Sequence, residues 1–190
     1  MNKNELRKAY LAKRRAIEPH QRLKFDDLLL INLQKITFDD EVNCLFTYFP
    51  IEKFGEPNTF IFTRYMQFVF PELQVAYPKT DWQNHQMHAL IIEEESSYEK
   101  NPQGLYEPVS EVIVDPRDID VVFVPLLAFD TNGYRVGFGK GYYDKFLTTC
   151  REDVLKIGFS YFPPVDEIED VSDHDIALDY CITCDAVYAF

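Results

Sequence analysis

Residues Val121–Leu147 read VVFVPLLAFDTNGYRVGFGKGYYDKFL, and this stretch decides the fold class. Its first residues are apolar and β-branched, as in a buried strand, and a helix is predicted to begin at Tyr142. Between them, residues 135–144 (RVGFGKGYYD) carry glycine at every second position from Gly137 to Gly141. Glycine permits positive φ and a close approach of the backbone, so successive N–H groups can converge on an anion. We predict a strand, an anion-binding loop and a helix whose positive end faces that loop.

The same loop carries charged side chains that suit phosphate chemistry. Arg135 supplies a planar fork of donors and Lys140 a mobile point charge, and both match phosphate oxygens. Asp144 follows at the exit of the loop and offers hard oxygen ligands to Mg²⁺, which commonly takes only one or two protein carboxylates. We therefore predict that Arg135 and Lys140 neutralise phosphate charge and that Asp144 binds the metal. The alternative is a glycine-rich hairpin without a ligand.

Two common phosphate-binding motifs do not fit this loop. The dinucleotide fingerprint G-x-G-x-x-G would need glycine at position 142, where the chain has Tyr142. A Walker A loop would need glycine at position 134 and a hydroxyl at position 141, where the chain has Tyr134 and Gly141. The loop therefore belongs to neither class.

The length and composition of the chain indicate one globular domain. The chain has 190 residues, of which 46% are hydrophobic and 15% aromatic, so we expect a single domain over residues 1–190. It has no apolar run of about 18 residues and no signal-peptide pattern, so we expect a cytoplasmic protein that does not enter a membrane. We also expect a monomer.

The charge of the chain is unevenly distributed. The net charge is −13, but residues 1–24 carry eight Lys and Arg against two Glu, which gives +6 and leaves −19 for the rest. Most of this surface would repel nucleic acid, although the basic N-terminal segment leaves nucleic-acid binding open as an alternative. An anionic small ligand would have to be held by local cations, and a basic N-terminal helix that faces the glycine loop can supply them.

The predicted N-terminal helix carries a cationic stripe. At 100° per residue, Lys3, Arg7 and Arg14 fall within about 40° of one another, apart from an apolar side that includes Leu6 and Tyr10. Such a stripe is either solvated or faces an anionic ligand.

The four cysteines predict no chemistry. Cys181 and Cys184 form a C-x-x-C pair, but a zinc site would need two more soft ligands, and Cys44 and Cys150 lie far away and singly. The pair also lies in an apolar run rather than at the start of a helix, where a redox pair is found. We expect free thiols in a reducing compartment.

Periodicity predicts alternating helices and strands. Helices are predicted over residues 3–17, 19–36, 58–70 and 142–150. Strands are predicted over residues 42–49, 73–76, 87–92, 112–114, 119–124, 154–159 and 182–188, and the polar stretch 93–101 is expected to be an exposed loop or sheet edge. This alternation predicts an α/β fold, a three-layer α/β/α sandwich with a mainly parallel sheet. Such sheets bind ligands at the carboxyl ends of their strands, which is where Val124 and Pro125 deliver the glycine loop.

The stretch from Val121 to Leu147 resembles the signature of the 5-formyltetrahydrofolate cyclo-ligase (methenyltetrahydrofolate synthetase) family. In that family a hydrophobic strand ends in proline, P-x-x-A-F-D follows, and a short turn leads to R-x-G-x-G-x-G-Y-Y-D. The resemblance extends over nearly the whole chain through residues that occur in the family's order: Lys3, Arg7, Glu56, Thr59, Pro78, Glu107, Pro108, His174 and Asp175.

The resemblance implies an enzyme that uses ATP and Mg²⁺ to close 5-formyltetrahydrofolate into 5,10-methenyltetrahydrofolate. Lys140 and Arg135 would be catalytic, and Asp175 would join Asp144 at the metal. Glu56 would bind the pterin edge of the folate, together with Tyr142. The residues that would bind ATP are two cations of the first helix and the glycine loop: Lys3, Arg7, Arg135, Val136, Gly137, Phe138, Gly139, Lys140, Gly141, Tyr142 and Tyr143.

The chain departs from the family pattern on the folate side. Leu126 stands where the family often has glycine, residues 161–165 lack a common glutamine, and the spacing from Tyr48 to Glu56 is longer than usual. The alternative is a nucleotide-binding relative that has lost catalysis. The joint presence of the carboxylates and the lysine argues against that alternative: Glu56, Lys140, Asp144 and Asp175.

Overall fold

The computed structural model describes residues 1–38, 41–92, 97–102, 104–110 and 112–190. Its α-helices are α1 (Lys3–Arg15), α2 (Pro19–Leu33), α3 (Thr59–Val69) and α4 (Tyr142–Leu147). Its strands are β1 (Cys44–Phe46), β2 (Gln74–Asp81), β3 (Gln86–Ile91), β4 (Ser97–Lys100), β5 (Tyr106–Val109), β6 (Ile113–Val114), β7 (Val121–Val124), β8 (Ala128–Phe129), β9 (Arg135–Val136), β10 (Leu155–Ser160), β11 (Tyr180–Thr183) and β12 (Val187–Ala189). Short 3₁₀ turns lie at Glu52–Phe54 and Pro116–Asp118.

A central sheet organises the described part of the chain, with the strand order β12-β11-β10-β7-β1-β2-β3-β6. The inner strands β11, β10, β7, β1 and β2 are parallel to one another, and antiparallel pairs extend both edges. Helices α2 and α3 cover one face, and α4 covers the other. The predicted α/β sandwich with a mainly parallel sheet is therefore confirmed.

The two faces of the sheet bury alternate residues of the same strands, as the pleat requires. Leu45 and Phe123 pack toward α2 and α3, and Phe62 of α3 stacks on Phe159 with ring centroids 4.2 Å apart. Phe46 packs toward α4 on the opposite face. Because both faces are buried, the central strand β7 is apolar throughout rather than alternating.

Helix α1 lies outside these two layers and packs on the hairpin formed by β8 and β9. Leu6 and Tyr10 form a separate apolar cluster with Leu127 and Val136. The backbone amide of Lys3 donates to Asp170 Oδ1 over 2.6 Å, so the start of α1 is attached to the segment that precedes β11. This attachment places the first turn of α1 beside the glycine loop.

The prediction of one C-terminal strand over residues 182–188 is wrong. The backbone reverses after Thr183, and β11 and β12 form an antiparallel hairpin. Thr183 Oγ1 accepts from the amides of Asp185 (3.3 Å) and Ala186 (3.1 Å), which stabilises the turn. The threonine side chain supplies the turn chemistry that the apolar pattern conceals.

Several further elements differ from the sequence prediction. The strand predicted over residues 42–49 covers only Cys44–Phe46, and the hairpins β4–β5 and β8–β9 were not predicted. Of the polar stretch 93–101, residues 93–96 lie outside the described residues, and β4 begins directly after them.

No helix in the described ranges is both long and apolar enough to cross a membrane. All four cysteines are free, as expected.

Candidate functional site

A cavity of about 710 Å³ opens at the carboxyl ends of the inner strands. Its walls are the segment after β1 (residues 48–56), Pro125 after β7, the glycine loop, the first turns of α1 and the β4–β5 hairpin. Parallel α/β sheets bind ligands at this edge, in the crevice between the loops that follow the strand ends.

The glycine loop forms one end of the cavity. Gly139 and Gly141 have φ values of +86° and +71°, a conformation that L side chains rarely adopt. Arg7 crosses the loop, and its Nε donates to the carbonyl oxygen of Gly137 over 2.9 Å. A Cβ atom at Gly139 would lie only 3.0 Å from Arg7 Cζ. Glycine at this position therefore lets Arg7 lie against the backbone of the loop.

Two ion pairs lie beside the loop. Arg135 Nη2 is 2.9 Å from Asp144 Oδ1, and Arg135 also donates to the carbonyl of Ile176. Lys3 Nζ is 2.5 Å from Asp175 Oδ2. Burial lowers the pKa of Arg135, while Asp144 opposes that change. Burial opposes ionisation of Asp175, yet hydrogen bonds from Lys3 and Ser172 bring its pKa below the ordinary value.

In each of these ion pairs a residue predicted to bind phosphate contacts a residue predicted to bind the metal: Arg135 contacts Asp144, and Lys3 contacts Asp175. Arg135 is buried, with a side-chain exposure of 5%, and it does not extend freely into the cavity as a phosphate fork would. Asp144 and Asp175 both line the cavity and provide oxygen donors only. Such a donor set fits Mg²⁺ that keeps waters and phosphate oxygens as its other ligands. The described residues contain no cluster of three or more His, Cys, Asp or Glu side chains suited to a metal.

Lys140 is the exposed cation of the loop. It lines the cavity, and no carboxylate in the described parts of the chain pairs with it. Its ammonium group is therefore available to a ligand, whereas the ammonium group of Lys3 and the guanidinium group of Arg135 are paired with carboxylates.

Glu56 also lines the cavity, and only 5% of the residue is exposed. Its Oε2 accepts from the amide of Ile51 over 2.7 Å, which closes the loop that contains the 3₁₀ turn. Burial raises the pKa of Glu56 to about 7, and the Ile51 amide and the Arg14 charge oppose this rise. A carboxylate in this position would be costly to bury unless it bound a hydrogen-bond donor from a ligand.

Aromatic rings also line the cavity. Tyr142 lies edge-on to Trp82 with centroids 5.6 Å apart, and Phe49 stacks on Tyr77 at 4.3 Å. Phe138 packs on Phe54 at 4.8 Å. The remaining predicted ATP ligands Val136 and Tyr143 are more enclosed, and Val136 is fully buried in the α1 cluster.

The sequence did not predict Trp82, which follows β2, or the β4–β5 hairpin, as parts of the site. The indole Nε1 of Trp82 is buried without a hydrogen-bond partner among the described residues. The hairpin contributes Tyr106, and Glu107 Oε1 accepts from the amide of Thr80 over 3.0 Å. The position of Trp82, the single tryptophan of the chain, next to a strand could have indicated a role in the site. The β4–β5 hairpin gave no such signal, because it approaches the cavity through long-range packing.

One part of the predicted cationic stripe is wrong. Lys3 and Arg7 line the cavity, but Arg14 is fully buried and lies outside its lining. Arg14 lies two helical turns after Arg7. It is therefore beyond the glycine loop and packs against the segment that bears Glu56.

The fold and the cavity define an α/β protein in which a glycine-rich loop with cationic side chains and a buried carboxyl group line the same cavity. The model of the 5-formyltetrahydrofolate cyclo-ligase family matches residues 1–183, and the chain belongs to this family. This confirms the resemblance seen in the sequence.

Named relatives agree with this assignment. A 5-formyltetrahydrofolate cyclo-ligase from Mycoplasma pneumoniae is 28% identical over 85% of this chain and 86% of its own length. One from Mycoplasma genitalium is 44% identical over 36% of this chain, and the match spans 42% of that relative. The solved structure of a 5,10-methenyltetrahydrofolate synthetase from Aquifex aeolicus has a TM-score of 0.81 at 30% identity and covers 100% of this chain and 93% of its own.

Proposed function

We propose that this protein catalyses the ATP- and Mg²⁺-dependent cyclisation of 5-formyltetrahydrofolate to 5,10-methenyltetrahydrofolate, with release of ADP and phosphate. The observation that carries the proposal is one cavity that is lined both by a cationic glycine loop and by the buried Glu56. The loop suits a polyphosphate, and the carboxyl group suits a neutral heterocycle with N–H donors. Family membership supports the same reaction.

The chemistry requires both ligands to meet. The N-formyl carbon is a poor electrophile, and N10 of the same molecule is a weak nucleophile. The formyl oxygen attacks the γ-phosphorus of ATP, and the bond to ADP breaks. N10 then attacks the activated carbon and loses its proton, and the C–O bond breaks as phosphate leaves. Because N10 is part of the same molecule, positioning supplies much of the acceleration.

The glycine loop would position and neutralise the triphosphate. The backbone amides from Val136 to Gly141 would bind phosphate oxygens, and Lys3 and Arg7 would meet ATP from the side of α1. Lys140, which has no carboxylate partner in the described ranges, would follow the transferred phosphoryl group. Charge that is fixed before the reaction stabilises the transition state without reorganisation.

Asp144 and Asp175 would hold Mg²⁺ beside the phosphates, where the ion would neutralise charge on the transferred group. In the present arrangement Arg135 and Lys3 neutralise these two carboxylates at 2.9 and 2.5 Å. When phosphate enters, the same cations can turn to its oxygens and leave the carboxylates to the ion. Arg135 would then act in catalysis together with Lys140.

Glu56 would bind the pterin through its N–H and amino edge, with Tyr142 and Trp82 against the ring or the formyl region. A carboxylate that accepts two parallel hydrogen bonds recognises such an edge in a fixed orientation. The whole chain, residues 1–190, would act as one domain and as a cytoplasmic monomer that binds small molecules rather than nucleic acid or membranes.

An absorbance assay tests this function, because the methenyl product absorbs in the near ultraviolet where the formyl substrate does not. Purified protein with 5-formyltetrahydrofolate, ATP and Mg²⁺ is expected to produce this chromophore, and omission of ATP should abolish it. No chromophore at saturating ligands would leave the chain as a non-catalytic relative. Nucleotide binding without turnover would identify it as that alternative.

A further inference from the structure

Arg14 is a buried charged side chain, and no carboxylate in the described parts of the chain forms an ion pair with it. It is 0% exposed, and its Nε and Nη1 have no hydrogen-bond partner among the described residues. A buried charge carries a large desolvation penalty unless other groups compensate for it. Arginine at this place in α1 therefore needs a physical reason beyond packing.

The contacts of Arg14 connect two walls of the cavity. Its Nη2 donates to the carbonyl oxygen of Leu126 over 2.5 Å, in the segment that leads from β7 toward the glycine loop. Its side chain also packs on Gly55, where a Cβ atom would lie 3.2 Å from Arg14 Cγ. Gly55 has φ +62° and immediately precedes Glu56, so Arg14 supports the loop from its interior side.

The groups near Glu56 come from several elements. Arg14 is a cation whose charge opposes the rise of the Glu56 pKa. Arg22 of α2 lies beside the same loop, with its Nη2 3.2 Å from a Cβ placed at Gly55. The phenols of Tyr48 after β1 and Tyr143 of α4 also interact with the Glu56 charge, and burial raises the pKa of both. They therefore stay neutral at ordinary pH. Tyr161 after β10 donates to Asp26 of α2 over 2.7 Å and approaches the carbonyl of Glu56 at 3.5 Å.

We propose that Arg14 is a positioning residue for the proposed folate site. It acts through Glu56 and fixes the loop that bears Glu56 to the segment after β7. The inference rests on the proposed function, because it concerns the carboxylate that would bind the pterin. Arg14 itself lies outside the cavity lining and touches neither ligand.

Removal of the Arg14 charge has a defined consequence for Glu56. Burial raises the pKa of Glu56 to about 7, and Arg14 opposes this rise. Without Arg14 the pKa rises further, and a smaller fraction of Glu56 is ionised at pH 7. A rise of one unit would reduce the ionised fraction at pH 7 about fivefold. Folate binding should then require a higher pH.

The experiment is calorimetric titration of the full chain with 5-formyltetrahydrofolate between pH 6 and pH 9. Arg14→Met removes the charge, Arg14→Lys keeps it, and Arg15→Met is the matched control on the exposed side of the same helix. Arg14→Gln is a second charge-free variant whose amide can still donate to a carbonyl, and it serves if Arg14→Met does not fold. ATP binding is measured in parallel.

The pH midpoint of folate binding should rise by about one unit or more in Arg14→Met and Arg14→Gln. It should stay near that of the wild type in Arg14→Lys and Arg15→Met, and ATP affinity should change little in all variants. Glu56→Gln should remove the pH dependence, and Arg14→Met added to it should shift nothing. An unchanged midpoint in the charge-free variants, with folate bound by the wild type, would overturn the role of Arg14 alone. Absence of folate binding to the wild type at every pH would overturn the proposed function and this inference together.

Discussion

Lys140 differs from other cations that line the cavity in whether its charge is paired with a carboxylate. Lys3 and Arg135 are paired with carboxylates at 2.5 and 2.9 Å, whereas Lys140 is exposed at the mouth of the loop. A mobile ammonium contributes most where charge shifts during the reaction, rather than where ATP first binds.

We predict that Lys140→Ala lowers kcat more than it raises KM for ATP. Loss of one preorganised charge should reduce kcat by about 10²–10³-fold, as for a lost oxyanion donor. Steady-state kinetics measures both constants. Lys145→Ala is the control, because Lys145 is an exposed lysine of α4 outside the cavity lining. Unchanged kcat with a raised KM would show that Lys140 only binds ATP.

Glu56 and Asp144 both line the cavity, and we expect them to serve different ligands. We predict that Glu56→Gln weakens folate binding and leaves ATP affinity nearly intact, because the amide keeps the shape and removes the charge. Asp144→Asn should leave folate binding intact and raise the Mg²⁺ concentration needed for tight ATP binding, since an amide oxygen is a poorer ligand for a hard dication. Titration of each variant with each ligand measures both effects. Equal loss of both ligands in either variant would contradict this division of the cavity.

At the level of elements, the glycine loop depends on the helix that crosses it. Arg7 of α1 approaches the backbone of Gly139 so closely that a methyl group there would displace the guanidinium. Displacement would also weaken the 2.9 Å hydrogen bond from Arg7 to Gly137.

Gly139→Ala is therefore expected to weaken ATP binding more than Gly141→Ala. Both glycines have positive φ, at +86° and +71°, so both substitutions strain the backbone, by about 1–2 kcal/mol. Only Gly139 faces Arg7, since a Cβ at Gly141 meets nothing within 4 Å. The difference in ATP affinity between the two variants isolates the Arg7 contact. Equal losses would mean that strain alone limits the loop.

Local sequence predicted the elements that the loop depends on, because their signals are short-range. The apolar run of β7, the glycines and the start of α4 at Tyr142 follow one another within a few residues. The contributions of Trp82 and Tyr106 could not be predicted, since they depend on how β2 and the β4–β5 hairpin pack across the sheet. Arg14 was assigned to the wrong environment because helical periodicity gives direction around the axis but not the depth of the neighbouring loop.

At the scale of the whole molecule, Asp26 and Glu56 are buried carboxyl groups whose pKa values are raised, and their protonation links ligand binding to stability. Burial raises the pKa of Asp26 and raises that of Glu56 to about 7. A raised carboxyl pKa means that the folded state binds the proton more tightly than the unfolded state. The stabilisation is complete below the unfolded pKa of about 4.5 and is lost as pH rises through about 7.

We predict that the wild type loses more stability than Glu56→Gln between pH 5 and pH 8. The difference should approach about 2.5 kcal/mol, because each unit of pKa shift corresponds to about 1.4 kcal/mol and most of the shift lies between these two pH values. Urea unfolding of both proteins at the two pH values measures this difference. Asp26 is present in both proteins, so its contribution cancels in the comparison. Glu52→Gln, an exposed carboxylate of the same loop, should follow the wild type. Parallel pH dependence of wild type and Glu56→Gln would show that Glu56 titrates normally.

The central claim is that ATP and 5-formyltetrahydrofolate react within one cavity. The most direct measurement follows ADP release and methenyl absorbance together in the same reaction. The proposed reaction predicts one ADP for each methenyl product and no ADP release when 5-formyltetrahydrofolate is omitted. Methenyl formation without ADP, or steady ADP release without the folate, would contradict the proposed reaction.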